Sequence, residues 1–415
     1  MKKTKFFFGI LIMLGLLCSF SIQQRYWGFF GHKRINRLAV FTLVPDMMPL
    51  FKKNIEFLTD HAVDPDKRRY AIKAEAPRHF IDLDRWGEAP FEGLPRLYPD
   101  ALIKYGDFVT DDERSELLIK NKDIAYLNKK KYLKVSNASE VDTSKYLDWY
   151  VYKKLIDNQI LYSQEDPEDI LLTSDQINEL LGKKIARTGK SYRWVDTFSV
   201  HGILPYYFPS LYLRLVDRFR KKDINGILRT ASDLGHYVGD AHVPLHTTSN
   251  YNGQLSNQLG LHAFWESRIP ELFADKQYDY FVGKAEYIKD VPSFIWQTAL
   301  ESHTLVDSVL AIEKRLSQSI PSDRQYCFDE RMGITIRTQC EEYAQAYQQA
   351  MSGMVEKRMR QAILAVGSIW YSAWIDAGQP NLTKMSKSET PDKAMEDEDL
   401  EKAFRANPMI GRPEN

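Results

Sequence analysis

Val355, Met359, Ala362, Val366, Ile369 and Ala373 recur at steps of 4, 3, 4, 3 and 4, which places them on one face of an α-helix. A stripe of that length specifies a long core helix, and Gly378 and Pro380 follow it as stop signals. A second stripe begins after Asp223, with Ile227, Ala231, Leu234 and Val238 at i, i+4, i+7 and i+11. Most other long stretches share this period. We find no convincing alternating strand series, no internal repeat and no glycine-rich phosphate loop. The expectation is an all-α fold. With 415 residues, 44% of them apolar, the chain can bury a substantial core.

The second stripe carries the chemistry. The segment LGHYVGDAHVPLHTTSNYNGQLSNQLGLHAFWE reads H-x3-D-x5-H-x15-H-x3-E, from His236 and Asp240 through His246 to His262 and Glu266. Two ligand-type residues four apart on a helix leave by nearly the same face, so each pair can grip one cation. Imidazole and carboxylate together suit zinc. His236 and Asp240 point roughly 180–200° away from the apolar stripe of their own helix. They therefore face either water or a polar cleft between helices. Pro244 ends the helix and places His246 on the loop that follows.

Two weaker clusters lie upstream. One is WGFFGHKRIN, with Trp27 and His32; the other is HAVDPDKRRY…PRHFIDLD, where Asp64 precedes His79 by fifteen residues. Taken alone, a histidine among aromatics is an ordinary core residue and an aspartate in DPD an ordinary turn former. Taken with the central run, five of the nine histidines fall into one potential ligand set.

Acidic and basic residues balance at 56 each, so no global field draws the chain to polyanions. Residues 1–21 hold a basic start (MKKTK), an apolar run from Phe6 to Leu17 and a small-x-small site at Ser19–Ser21, which predicts a signal peptide and an exported, periplasmic or secreted, protein. A retained anchor is the alternative. In an oxidising compartment Cys327 and Cys340 can pair across FDERMGITIRTQ. The domain is expected over 22–383, with a charged, inserted helical region over 101–190 and a disordered tail over 384–415.

These motifs resemble those of the zinc-dependent phospholipase C and S1/P1 nuclease superfamily. The likeness covers Trp27 to His32, Asp64 to Asp82 and His236 to Glu266, in the family's order. It implies a multi-helix fold and an enzyme, a phosphodiesterase using three zinc ions. Asp64, His79 and His236 would hold one ion, and Asp240 would bridge it to a second held by His32 and the Trp27 backbone. His246, His262 and Glu266 would hold the third. Asp64 and Asp240 are thereby the catalytic carboxylates. Phe80 and Asp82 match positions that stack on and hydrogen-bond a base. The implied substrate is single-stranded nucleic acid or phospholipid, acted on by a monomer with no obligate protein partner. HFID, Trp265 and the short Trp-to-His spacing are nuclease-like, whereas Glu266 is phospholipase-like. A non-catalytic zinc-binding surface protein is the alternative from another class.

The remaining candidates read more plainly. His242 is expected to be structural and His303 incidental. His61 either orients Asp64 or lies at the surface. His201 belongs to the cleft or to a turn. Asp233 is expected to be exposed.

Overall fold

The computed structural model describes residues 29–119, 121–136, 146–160, 171–331, 334–386 and 395–412. The expected signal peptide and Trp27 lie outside them. The chain divides into two compact units, residues 1–85 with 207–415, and Trp86–Tyr206.

The first unit is helical. Its longest helix, Met354–Asp376, buries all six stripe residues, and the stop falls just ahead of Gly378. Trp370, fully buried on this helix, donates its indole N–H to Ala231 O at 2.9 Å and packs on Phe51. That contact ties the long helix to the Ile224–Ala241 helix, which starts where Asp223 accepts a hydrogen bond from the Gly226 N–H at 2.9 Å.

The Ile224–Ala241 helix is buried on more than its apolar stripe. Between that stripe and the His236–Asp240 face lie Gly235 and Gly239, one turn apart, and the Phe29–Ala39 helix lies against them. A Cβ at Gly235 would sit 1.8 Å from Asn36 Oδ1, and one at Gly239 would sit 2.8 Å from His32 Nδ1. Only glycine admits the second helix this closely. Asn36 uses the approach to donate to both Leu58 O and Ser232 O. Of the two alternatives for His236 and Asp240, the structure takes the cleft: they are 0% and 1% exposed.

Two other parts of this unit bear on the sequence reading. Tyr326–Arg331 pairs antiparallel with Ile334–Gln339, and Cys327 and Cys340 form a disulfide at this hairpin. The expected disordered tail is corrected over its described part. Met395–Ala406 is a helix packed on the short Asp64–Arg68 helix. Its polar composition hides one anchor, Phe404. That residue is 1% exposed, edge-on to Tyr70 and against Phe29, with a Lys67–Glu401 ion pair beside it.

The second unit corrects the helical insertion and, with it, the all-α expectation; the protein is mainly α. Besides helices Tyr98–Tyr105, Trp149–Ile160 and Ser174–Leu181, it holds two antiparallel three-stranded sheets. One has the order β1 (Asp107–Thr110), β6 (Ser191–Val195), β5 (Leu172–Thr173). The other runs β2 (Asn121–Leu127), β3 (Lys130–Ser136), β4 (Tyr146–Asp148). Asn128 and Lys129, both at positive φ, close the β2–β3 turn. The alternation in β3 is blurred because Lys131 shares the inward face with Leu133 and Val135, while Tyr132 stands on the outward face between Lys130 and Lys134. Among the described residues, no helix is long and apolar enough to cross a membrane.

Candidate metal centre

His32 comes from the Phe29–Ala39 helix, His236 and Asp240 from the Ile224–Ala241 helix. The glycine contact brings the His32 and His236 rings into a stack with centroids 4.0 Å apart. His32 Nε2 then lies 3.4 Å from Asp240 Oδ1 and 3.1 Å from Glu266 Oε1. His236 Nδ1 is 2.9 Å from Ala62 O. A carbonyl only accepts, so the proton sits on Nδ1 and the Nε2 lone pair faces inward. There it meets Asp240 Oδ2 at 3.3 Å and His79 Nδ1 at 3.0 Å.

His79 ends the 3₁₀ turn Ala76–His79 and is wholly buried. Its Nδ1 is 3.0 Å from Asp240 Oδ2, and its Nε2 is 3.8 Å from Glu75 Oε1. Glu75, itself 0% exposed, is held by Arg78 at 2.7 Å and by the Tyr237 hydroxyl. Burial, then Glu75, holds the Tyr237 phenol well above its usual pKa, so it remains the donor. Burial, reinforced by His236 and Arg69, holds His79 well below the usual imidazole value, in the neutral form a ligand needs.

The carboxylate that joins His79 and His236 is Asp66. Its Oδ1 is 3.7 Å from both His79 Nδ1 and His236 Nε2. The assignment of Asp64 to this position is corrected by the geometry. Asp64 pairs with His61 Nδ1 at 2.5 Å and has Lys67 at 3.8 Å. Both aspartates lie on the Asp64–Arg68 helix, where two residues turn the side chain by about 200°. Only one can face the histidines.

The third group is built from a shorter stretch. Pro244 opens a 3₁₀ turn that carries His246. Gly260 precedes the helical segment with His262, and a π-turn over Phe264–Arg268 carries Glu266. Asn252 Oδ1 accepts from the backbone N–H of Gly260 and of His262, fixing where this segment begins. His262 Nδ1 is 3.1 Å from Tyr251 O, so its Nε2 turns to Glu266 Oε2 at 2.8 Å. His246 Nε2 is 3.4 Å from the same oxygen and 3.7 Å from Asp240 Oδ1.

Three sets of ligand atoms therefore converge: Asp66, His79 and His236; His32, His236 and Asp240; His246, His262 and Glu266. Within each, all atoms lie within 4.8 Å of one another. The donor chemistry fits a cation. His262 Nε2 and Glu266 Oε2 both present lone pairs at 2.8 Å, a pairing that needs a proton or a metal ion between them. The two carboxylates respond oppositely to this setting. Burial drives Asp240 well above its usual range, against the pull of His246 and His32. Burial also works to raise Glu266, but its close contacts with His246, His262 and His32 outweigh it and hold Glu266 well below.

The structure brings seven of the expected ligands together, His32, His79, His236, Asp240, His246, His262 and Glu266, while Phe80 and Asp82 follow His79 along the chain. Ile81 N–H donates to His246 O at 2.9 Å, which pins the Phe80–Asp82 segment beside the centre. Asp66, Glu75 and Asn252 were missed; the two acids of DPD were the available signal for the first. His303 is not incidental, since its Nδ1 meets Thr247 O at 2.9 Å and so braces the turn that carries His246. His61 does pair with Asp64. His242 is structural, with Nδ1 2.7 Å from Val238 O. Asp233 is ion-paired with Arg68 at 3.0 Å instead of being open to solvent. His201 packs edge-on to Trp86 in the second unit. No family model matches this chain, and its sequence has no match among curated proteins.

Proposed function

We propose that this chain is an exported zinc-dependent hydrolase that cleaves phosphodiester bonds, with single-stranded nucleic acid as its substrate. The observation that carries this reading is the division of one carboxylate. Asp240 Oδ2 faces His79 and His236, while Oδ1 faces His32 and His246. A carboxylate used from both oxygens is what a multinuclear site requires. Asp66, His79, His236 and Asp240 would hold one ion, His32 and Asp240 a second, and His246, His262 and Glu266 a third. Zinc in those positions would supply a Lewis acid that activates water at neutral pH and offsets the phosphate charge.

The protein's own groups do the rest. Ala62 O and Tyr251 O orient the His236 and His262 imidazoles, so that less reorganisation is left for binding. Phe80 offers a ring for stacking and Asp82 an acceptor for a base edge. With no excess of basic residues, phosphate recognition falls to the metal centre. The Cys327–Cys340 disulfide accords with an oxidising compartment.

The test is elemental analysis of the purified protein combined with turnover of single-stranded DNA, RNA and phosphatidylcholine. We expect zinc, cleavage of nucleic acid and loss of both activity and thermal stability with a strong chelator. Cleavage of phosphatidylcholine alone would favour the lipid-cleaving reading, which Glu266 supports. At most one zinc with no turnover of any phosphodiester would replace the enzyme with a zinc-binding surface protein.

A further inference from the structure

We infer that the C-terminal segment is a built-in competitor for the base-binding position, with Arg412 standing where the base would lie. This inference rests on the reading just proposed. The Arg412 guanidinium carbon is 3.3 Å from the centroid of the Phe80 ring and 4.2 Å from that of Tyr251. Its Nη1 donates to Asp82 Oδ1 at 2.6 Å. A flat group stacked on Phe80 and donating to Asp82 makes the interactions expected of a nucleobase with an exocyclic amine.

The placement is not a stray surface contact, because the segment leading to it is anchored at successive points. Phe404 is buried against Tyr70, and Asn407 Nδ2 donates to Tyr70 O at 3.0 Å. Ile410 N–H donates to Arg69 O at 2.8 Å, and Arg69 Nη2 returns a hydrogen bond to Arg412 O at 2.7 Å. Every one of these partners lies on the stretch after Asp66. The segment thus grips the same piece of chain that supplies a ligand. Phe80 and Asp82 are 3% and 5% exposed, values that a substrate-binding pair reaches only when covered.

A base must displace the guanidinium before it can stack. The apparent affinity is then the intrinsic affinity reduced by the fraction of molecules with the position open. Removing the side chain should lower KM and leave kcat alone, since its stacking on Phe80 and Tyr251 and its hydrogen bond to Asp82 bear on the base position.

The test compares the full-length protein with Arg412→Ala and Arg412→Lys. KM and kcat are measured on a short single-stranded oligonucleotide, and adenosine binding by calorimetry. Adenosine has no phosphate, so it reads the base position apart from the metal centre. We expect Arg412→Ala to lower KM and tighten adenosine binding by the same factor, about tenfold, with kcat unchanged. Lys keeps the charge without the flat face and should fall between. If no protein turns over any phosphodiester yet adenosine still binds more tightly to Arg412→Ala, the proposed function fails and the competitor stands. Equal adenosine binding in parent and variant, or none in either, overturns the inference, as does a KM that rises on removing Arg412.

Discussion

The two sides of the metal centre are assembled in different ways. The His246, His262 and Glu266 side comes from one continuous stretch, set by a proline turn, Asn252 and a π-turn. The Asp66, His79, His236, Asp240 and His32 side draws on three separated parts of the chain. It exists only because Gly235 and Gly239 let two helices close on each other. The first side depends on local turns and the second on tertiary packing. The first should therefore survive disturbances that dismantle the second.

Asp240→Asn should have the largest effect, because it removes the oxygen shared across the assembled side. We expect kcat/KM to fall by about a thousandfold or more. Elemental analysis should find zinc retained at the local side only; full zinc content in this variant would break the comparison. Asp66→Asn should weaken metal retention beyond the ~10–100-fold typical of an outer-sphere partner. Asp64→Asn, which acts on His61, should stay near the parent in competition with a chromophoric chelator. The reverse order would return Asp64 to the centre.

Gly239→Leu forces a side chain into the His32 ring. It should cost about 1–3 kcal/mol in thermal unfolding and release the ion on the His32 side, leaving the local side loaded. His242→Gln sharpens the contrast by pH. Burial, then Arg358, lowers the His242 pKa from 6.5 to about 3. Between those values the unfolded chain binds the extra proton. Stability is thus full above pH 6.5 and falls by about 1.4 kcal/mol per pH unit on acidification. The variant should lose that part of the slope in melting curves, while acid release of metal continues in both. His303→Ala loosens only the turn behind His246. It should weaken the local ion by about tenfold and leave the assembled side untouched in the same chelator competition.

What could be read from the sequence follows the same division. The four-residue spacings of His236 with Asp240 and His262 with Glu266 are properties of a helix turn, so they were legible without the fold, as was the break at Pro244. The stripe in the Met354–Asp376 helix was legible for the same reason. The choice between Asp66 and Asp64 was not. The helix says that only one can face inward, but which one depends on where His79 and His236 arrive from far along the chain. The burial of His236 on the polar side of its own helix was equally hidden, because it depends on a second helix resting on two glycines. The docked Met395–Ala406 helix was masked by its charge, since one phenylalanine among acids carries little periodic signal.

The position of Asp240 has a consequence for how the centre fills. An ion settling against one carboxylate oxygen fixes the rotamer that presents the other. The first binding event thereby prepays part of the ordering cost of the second, and the two affinities become linked. Zinc titrated into the stripped protein should then enter the assembled side cooperatively, while His246, His262 and Glu266 load as an independent step.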